Sequence, residues 1–246
     1  MRHAAIALLL LVGQQASPPA FDVASVKSNK SGDIAINLSQ FGQGQYRVAN
    51  IPLLTIIGQA FGRASWDEIV GGPEWIKTDR WDIVARSESP GGPVFPKLRT
   101  LLEQRFKLVT HLEMRTMPIY ALVDGPGKRR VQATTADCGS ARPSPCTFRN
   151  GAGFLTGQGV PMAFVVNMLA AAVQRPVDNR TDLQGRYDVD LHWAVDVPST
   201  GDAPPVGSDA PSIFTVVQEQ LGLKLESTRG PVEVLVIDRV ERPTED

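Results

Sequence analysis

Two distant stretches of the chain share one grammar, and that repetition limits the fold more than any other feature. Residues 212–238 read SIFTVVQEQLGLKLESTRGPVEVLVID, and residues 98–124 read LRTLLEQRFKLVTHLEMRTMPIYALVD. In the later stretch Phe214, Val217 and Leu221 fall one turn apart, with Gln218, Glu219 and Gln220 on the wet side, so the spacing predicts a short amphipathic helix. Ser212 suits its N-cap and Gly222 its C-terminal stop. Leu223 and Leu225 then alternate with Lys224 and Glu226, as in a half-buried strand. Thr228-Arg229-Gly230-Pro231 predicts a turn, and VEVLVID a second strand. The earlier stretch follows the same order: a helix carrying Leu98, Leu101, Leu102 and Phe106, a strand, a turn ending at Pro118, then IYALVD. Glu103-Gln104 parallels Glu219-Gln220, Pro118 parallels Pro231, and Val123-Asp124 parallels Ile237-Asp238. The expectation is an internal duplication whose period is far longer than a solenoid repeat.

The remaining segments fit two such copies. FDVASVK (21–27), IAINLS (34–39) and QYRVANI (45–51) read as strands, the last two joined by the FGQGQ turn. Asn50 and Pro52 open a helix bearing Leu53, Ile56, Ile57 and Phe61, which Gly62 ends. EIVGGPEWI reads as a short strand and turn. DRWDIVARS alternates with Trp81, Ile83 and Ala85 on one face, and the SPGGP loop leads to a helix over 96–106. The second half restarts with a hairpin of TFRN and FLTGQ, then a helix MAFVVNMLAAAV opened by Val160-Pro161. RPVDNRTDLQGRYDVDLHW (175–193) follows, with Tyr187, Val189 and Leu191 on one strand face. PSTGDAPPVGSDAP is a Pro/Gly/Ser loop. The predicted class is α+β, two similar halves of short helices packed on small mixed sheets. The expected division is a leader at 1–20, a first repeat at 21–130, a linker with the cysteine pair at 131–150, and a second repeat at 151–246.

The leader has the grammar of an export signal. Arg2 and His3 give a positive start, residues 4–12 an apolar core too short to span a bilayer, and residues 14–20 a small, polar exit. Cleavage is expected between Ala16 and Ala20, with an uncleaved anchor as the alternative. The mature chain is thus expected to be periplasmic or secreted, with no membrane span. That compartment makes a disulfide between Cys138 and Cys146 the default, worth roughly 2.5 kcal/mol in the chain-entropy picture. A formal net charge of -1 argues against a nucleic-acid partner, which would want a basic face.

The sequence offers little catalytic machinery. It has no Gly-x-Ser-x-Gly elbow and no His-Glu-x-x-His, and beyond the leader only His111 and His192 remain. Asp178, Asp182, Asp188 and Asp190 form the most acidic local cluster, the residue type a calcium site or a hydrolytic carboxylate pair would use. Arg180 and Arg186 are interleaved with them, which favours charge balance on a solvated face. Trp66 and Trp75 flank a GGP turn, where exposed aromatics would suit a carbohydrate or peptide contact; packing against the core is the plainer reading. No cofactor is implied.

FDVASVK, IVGGPEWI with TDRWDIVA, LLEQRFKL, MPIYAL, RPVDNRTDLQGRYDVDL and the tail QEQLGLKLESTRGPVEVLVIDRVERPTED together resemble the acidobacterial soil-associated family of exported proteins, classed as a domain of unknown function. The resemblance covers nearly the whole mature chain. It implies a protein that stands alone after a signal peptide, in a family some of whose members are joined to membrane sensor peptidases of the BlaR1 antirepressor type. It brings no catalytic residues. Thr181-Asp182-Leu183 departs from the family's usual Thr-Gly-Leu. The alternation of helix and paired strands also resembles, at the level of pattern, the short N-terminal domain of secretins and TonB-dependent receptors. Two functions follow as expectations: a non-catalytic binding or sensory module of the cell envelope, docking a protein, peptide or glycan, or a secreted hydrolase built on the four aspartates.

Overall fold

The computed structural model describes residues 17–32, 37–42 (backbone only), 44–88, 93–139, 144–195 and 210–243. Residues 1–16 of the leader, the start of IAINLS, part of the FGQGQ turn, most of SPGGP and most of the Pro/Gly/Ser loop lie outside the described residues. In chain order the elements are β1 (Val23–Ser28), β2 (Asn37–Gly42), β3 (Gln45–Pro52), α1 (Leu53–Phe61), a 3-10 turn (Trp66–Glu68), β4 (Ile69–Gly71), α2 (Trp75–Thr78), β5 (Arg80–Arg86), α3 (Val94–Phe106) and β6 (Val109–Asp124). They continue with β7 (Gln132–Ala133), β8 (Phe148–Gly151), β9 (Phe154–Pro161), α4 (Met162–Val173), β10 (Val177–Asn179), β11 (Arg186–His192), α5 (Ile213–Val216), a π-helical turn (Val217–Leu221) and β12 (Leu223–Arg239).

Local chemistry sets many of these boundaries. Pro52 and Pro161 sit in extended conformation directly before α1 and α4, where a missing N–H costs a helix nothing. Gly62 and Gly222 end their helices in the left-handed region, as their positions predict. Ser65 and Glu68 close a reciprocal cap. The Asp67 N–H donates to Ser65 Oγ at 3.2 Å and the Ser65 N–H donates to Glu68 Oε2 at 2.8 Å, which fixes the entry to β4.

Among the described residues the strands form three four-stranded sheets, ordered β1-β5-β3-β2, β10-β6-β12-β4 and β7-β11-β9-β8. The molecule is a mixed α+β fold of small sheets and short helices. The middle sheet draws on both halves of the chain. β6 and β12 run antiparallel at its centre; β4 of the first half pairs in parallel with β12 of the second, and β10 of the second pairs in parallel with β6 of the first. Among the described residues two apolar cores sit along this ribbon. One gathers Trp81, Ile83, Leu102 and Phe106 with Leu235 and Ile237 of β12. The other gathers Leu155, Val165, Leu169 and Leu191 with Leu122 of β6 and Leu223 and Leu225 of β12.

Two predicted turns are corrected. Neither Thr228-Arg229-Gly230-Pro231 nor the segment ending at Pro118 reverses the chain; each lies inside one long strand. The reason lies in which way the backbone groups point. The Tyr120 N–H donates to Pro176 O and Leu122 O accepts from the Arg180 N–H, so even-numbered residues of β6 turn their backbone groups away from β12. Pro118 shares that parity, and Pro231 is paired with Thr116 of the same row. Neither proline therefore removes a bond from the central ladder. The predicted apolar stripe of the last helix holds at Val217 and Leu221 and is corrected at Phe214. Ile213, Val216, Val217 and Leu221 are buried, while Phe214 is exposed, because the π-helical turn shifts the register of the inward face.

Candidate functional site: the open edge of the shared sheet

The four aspartates each hold a partner of their own. Asp178, on β10, lies 3.0 Å from Arg180 Nε. Asp182 takes Arg129 Nη1 at 2.5 Å, and the same guanidinium also forks onto Asp124. Asp188 of β11 accepts the Gly159 N–H at 2.9 Å, and Asp190 pairs with His192 Nε2 at 3.1 Å. Arg129 beside Asp124 holds that carboxyl below the usual carboxylate range, while Asp124 first and Asp182 second push the guanidinium up. Among the described residues no three His, Cys, Asp or Glu side chains are grouped to hold a metal ion. Among the described residues the geometry thus distributes the aspartates over separate ion pairs and one backbone bond.

Trp75 is packed rather than displayed. Its ring meets Trp81 edge-on at 6.5 Å, and Arg242 stacks over it at 4.9 Å while bonding Asp79 at 2.8 Å. Trp66 is the exposed member of the pair. Cys138 and Cys146 are joined in a disulfide, which lies against Gly159 of β9.

The feature that stands out chemically is a length of uncovered strand. β6 pairs with β12 along its whole length but with β10 only at residues 120–122. Among the described residues, 109–119 therefore have a strand on one side only. By the parity established above, the N–H and C=O groups of Thr110, Leu112 and Met114 point outward. Among the described residues nothing bonds them. Thr116 O accepts Arg229 Nη2 at 3.0 Å, and Pro118 has no N–H to offer. Leu112 and Met114, 54% and 62% exposed, project from this edge on one face. On the opposite face stand His111, Glu113 and Arg115. Arg115 forks onto Glu113 at 3.1 and 2.9 Å, which holds the Glu113 carboxyl low, and His111 Nδ1 lies 2.9 Å from Asp238.

The corresponding edge of β12 is defended. Arg63 donates to Glu233 O at 2.8 Å and pairs with its carboxylate at 2.9 Å, Pro231 interrupts the donors, and Lys224 and Glu226 pair over its start. An apolar, unbonded edge beside a charged, capped one is the asymmetry to be explained. A groove of about 680 Å³ also opens among Tyr120, Met168, Gln174, Trp193 and Phe214, with Arg175 stacked over Tyr120 at 4.9 Å.

Thr110, Leu112 and Met114 are not candidates on sequence alone, where the helix is followed by a strand and a turn ending at Pro118. The usable signal is the alternation of Leu112 and Met114 with His111, Glu113 and Arg115.

Fold and edge together describe a mixed α+β protein whose shared sheet has a length of strand paired on one side among the described residues. The chain belongs to a family described as a protein of unknown function, DUF3738, which matches residues 54–240. No curated protein and no solved structure matches it.

Proposed function

We propose that this chain is an exported, non-catalytic binding module of the cell envelope, and that it takes an extended polypeptide as an added strand along β6. The observation that carries the reading is the outward, unbonded backbone of Thr110, Leu112 and Met114 beneath two exposed apolar side chains. Strand addition draws its affinity from such backbone groups and its selectivity from alternate side chains. Each new ladder bond contributes roughly 1 kcal/mol net, so a short peptide binds weakly unless Leu112 and Met114 also gain apolar cover. The positively charged start and short apolar core of the leader support export, and the resemblance to families joined to sensor peptidases supports a sensory setting. The matched order of elements in the two halves supports descent from one duplicated unit.

A panel of extended peptides with alternating apolar residues tests the reading by backbone NMR. Binders are expected to shift the amides of residues 109–118. Leu112→Lys and Met114→Lys are expected to weaken binding at least tenfold, and Ser227→Lys, on the β12 edge, to leave it unchanged. Binding that maps instead to the Tyr120–Phe214 groove, or a panel with no binder, would overturn it.

A further inference from the structure

Resting on that reading, we infer that the strand which docks on β6 is β6 of a second copy of the chain, run antiparallel about a twofold axis at Met114. The edge is self-complementary. Outward groups fall on even residues, so only even residues can face one another in hydrogen-bonded pairs. With the axis at Met114, Met114 faces its counterpart and Leu112 faces Thr116 of the second copy. The Thr116 carbonyl, already holding Arg229, has a second lone pair for the incoming Leu112 N–H. Thr110 faces Pro118, which lacks the return donor, so the pairing ends there, short of β10.

Side chains choose this register among the possibilities. On one face Met114 and Leu112 of each copy cover those of the other, removing the most exposed apolar groups of β6 from water. On the other face Glu113 stands directly opposite Arg115 of the second copy, twice over, while keeping its own Arg115 two residues along the same strand. Moving the axis to residue 113 would set Glu113 against Glu113, which is repulsive. The product is a continuous sheet ordered β4-β12-β6-β6-β12-β4, isologous in the manner of twofold dimers.

Sedimentation equilibrium on residues 21–246 tests this. The wild type is expected to self-associate reversibly. Glu113→Arg and Arg115→Glu are each expected to weaken association at least tenfold, the double variant to restore it, and Met114→Lys to abolish it. These side chains are largely exposed, and circular dichroism checks that every variant stays folded. A wild type that remains monomeric up to millimolar concentration, or dimers indifferent to Glu113→Arg and Met114→Lys, would overturn the inference. A monomer that still binds the peptide panel on residues 109–118 removes only the second copy as partner. A monomer that binds no peptide there removes the strand-addition reading as well.

Discussion

At Gly159 the backbone turns through φ +66°, and a Cβ there would lie 2.5 and 2.6 Å from the two sulfurs of the Cys138–Cys146 bridge. The bridge uses the space a side chain would fill. Gly159→Ala combines a left-handed alanine with a clash against an unyielding group, so a loss of about 2–4 kcal/mol is expected in denaturant unfolding. An unchanged midpoint would mean that the bridge does not pack there. The cysteine pairing itself was legible, because the chain has only two cysteines and they lie eight residues apart. The need for Gly159 was not, since it arises from two elements brought together by the third sheet. The helix stops divide in the same way. Gly62 and Gly222 announce a left-handed residue; Lys107 and Gln174 adopt φ +52° and +50° without announcing it, Lys107 anchored by its Nζ bond to Gln104 O at 3.0 Å. The aspartate cluster was legible as composition only. Which arginine or backbone group each carboxylate meets is decided by strand pairing, and sequence spacing carries no such information.

Among the elements, short helices and half-buried strands were readable from periodicity, β5 and α4 most clearly. β6 and β12 were not, because Gly-Pro and Met-Pro ordinarily break a strand. Here both prolines fall on the row that turns away from the ladder, a fact fixed only once the register is known. The length of β12 has a physical consequence. It contributes Leu223 and Leu225 to one core and Leu235 and Ile237 to the other, so neither core can melt without disturbing a strand of its neighbour. Unfolding followed at Trp81 and at Trp193, one in each core, is therefore expected to give coincident denaturant transitions, tested with single-tryptophan variants. Leu225→Ala and Leu235→Ala, each worth about 2–5 kcal/mol, are expected to move both probes together. Two separated transitions would show that the cores are independent units.

For the molecule as a whole, the exchange of short strands across the β6–β12 ribbon covers part of each outer edge and, among the described residues, leaves a stretch of β6 with a strand on one side only. The central claim is that this stretch is open and made to be filled. Site-resolved amide exchange on the chain diluted until sedimentation shows a monomer tests that claim most directly. The amides of His111, Glu113 and Arg115, which face β12, should be strongly protected, and those of Thr110, Leu112 and Met114 should exchange rapidly. All should be protected once a strand is added by peptide or by raised protein concentration. Uniform protection along residues 110–115 of the dilute monomer would contradict the account, because the edge would already be occupied.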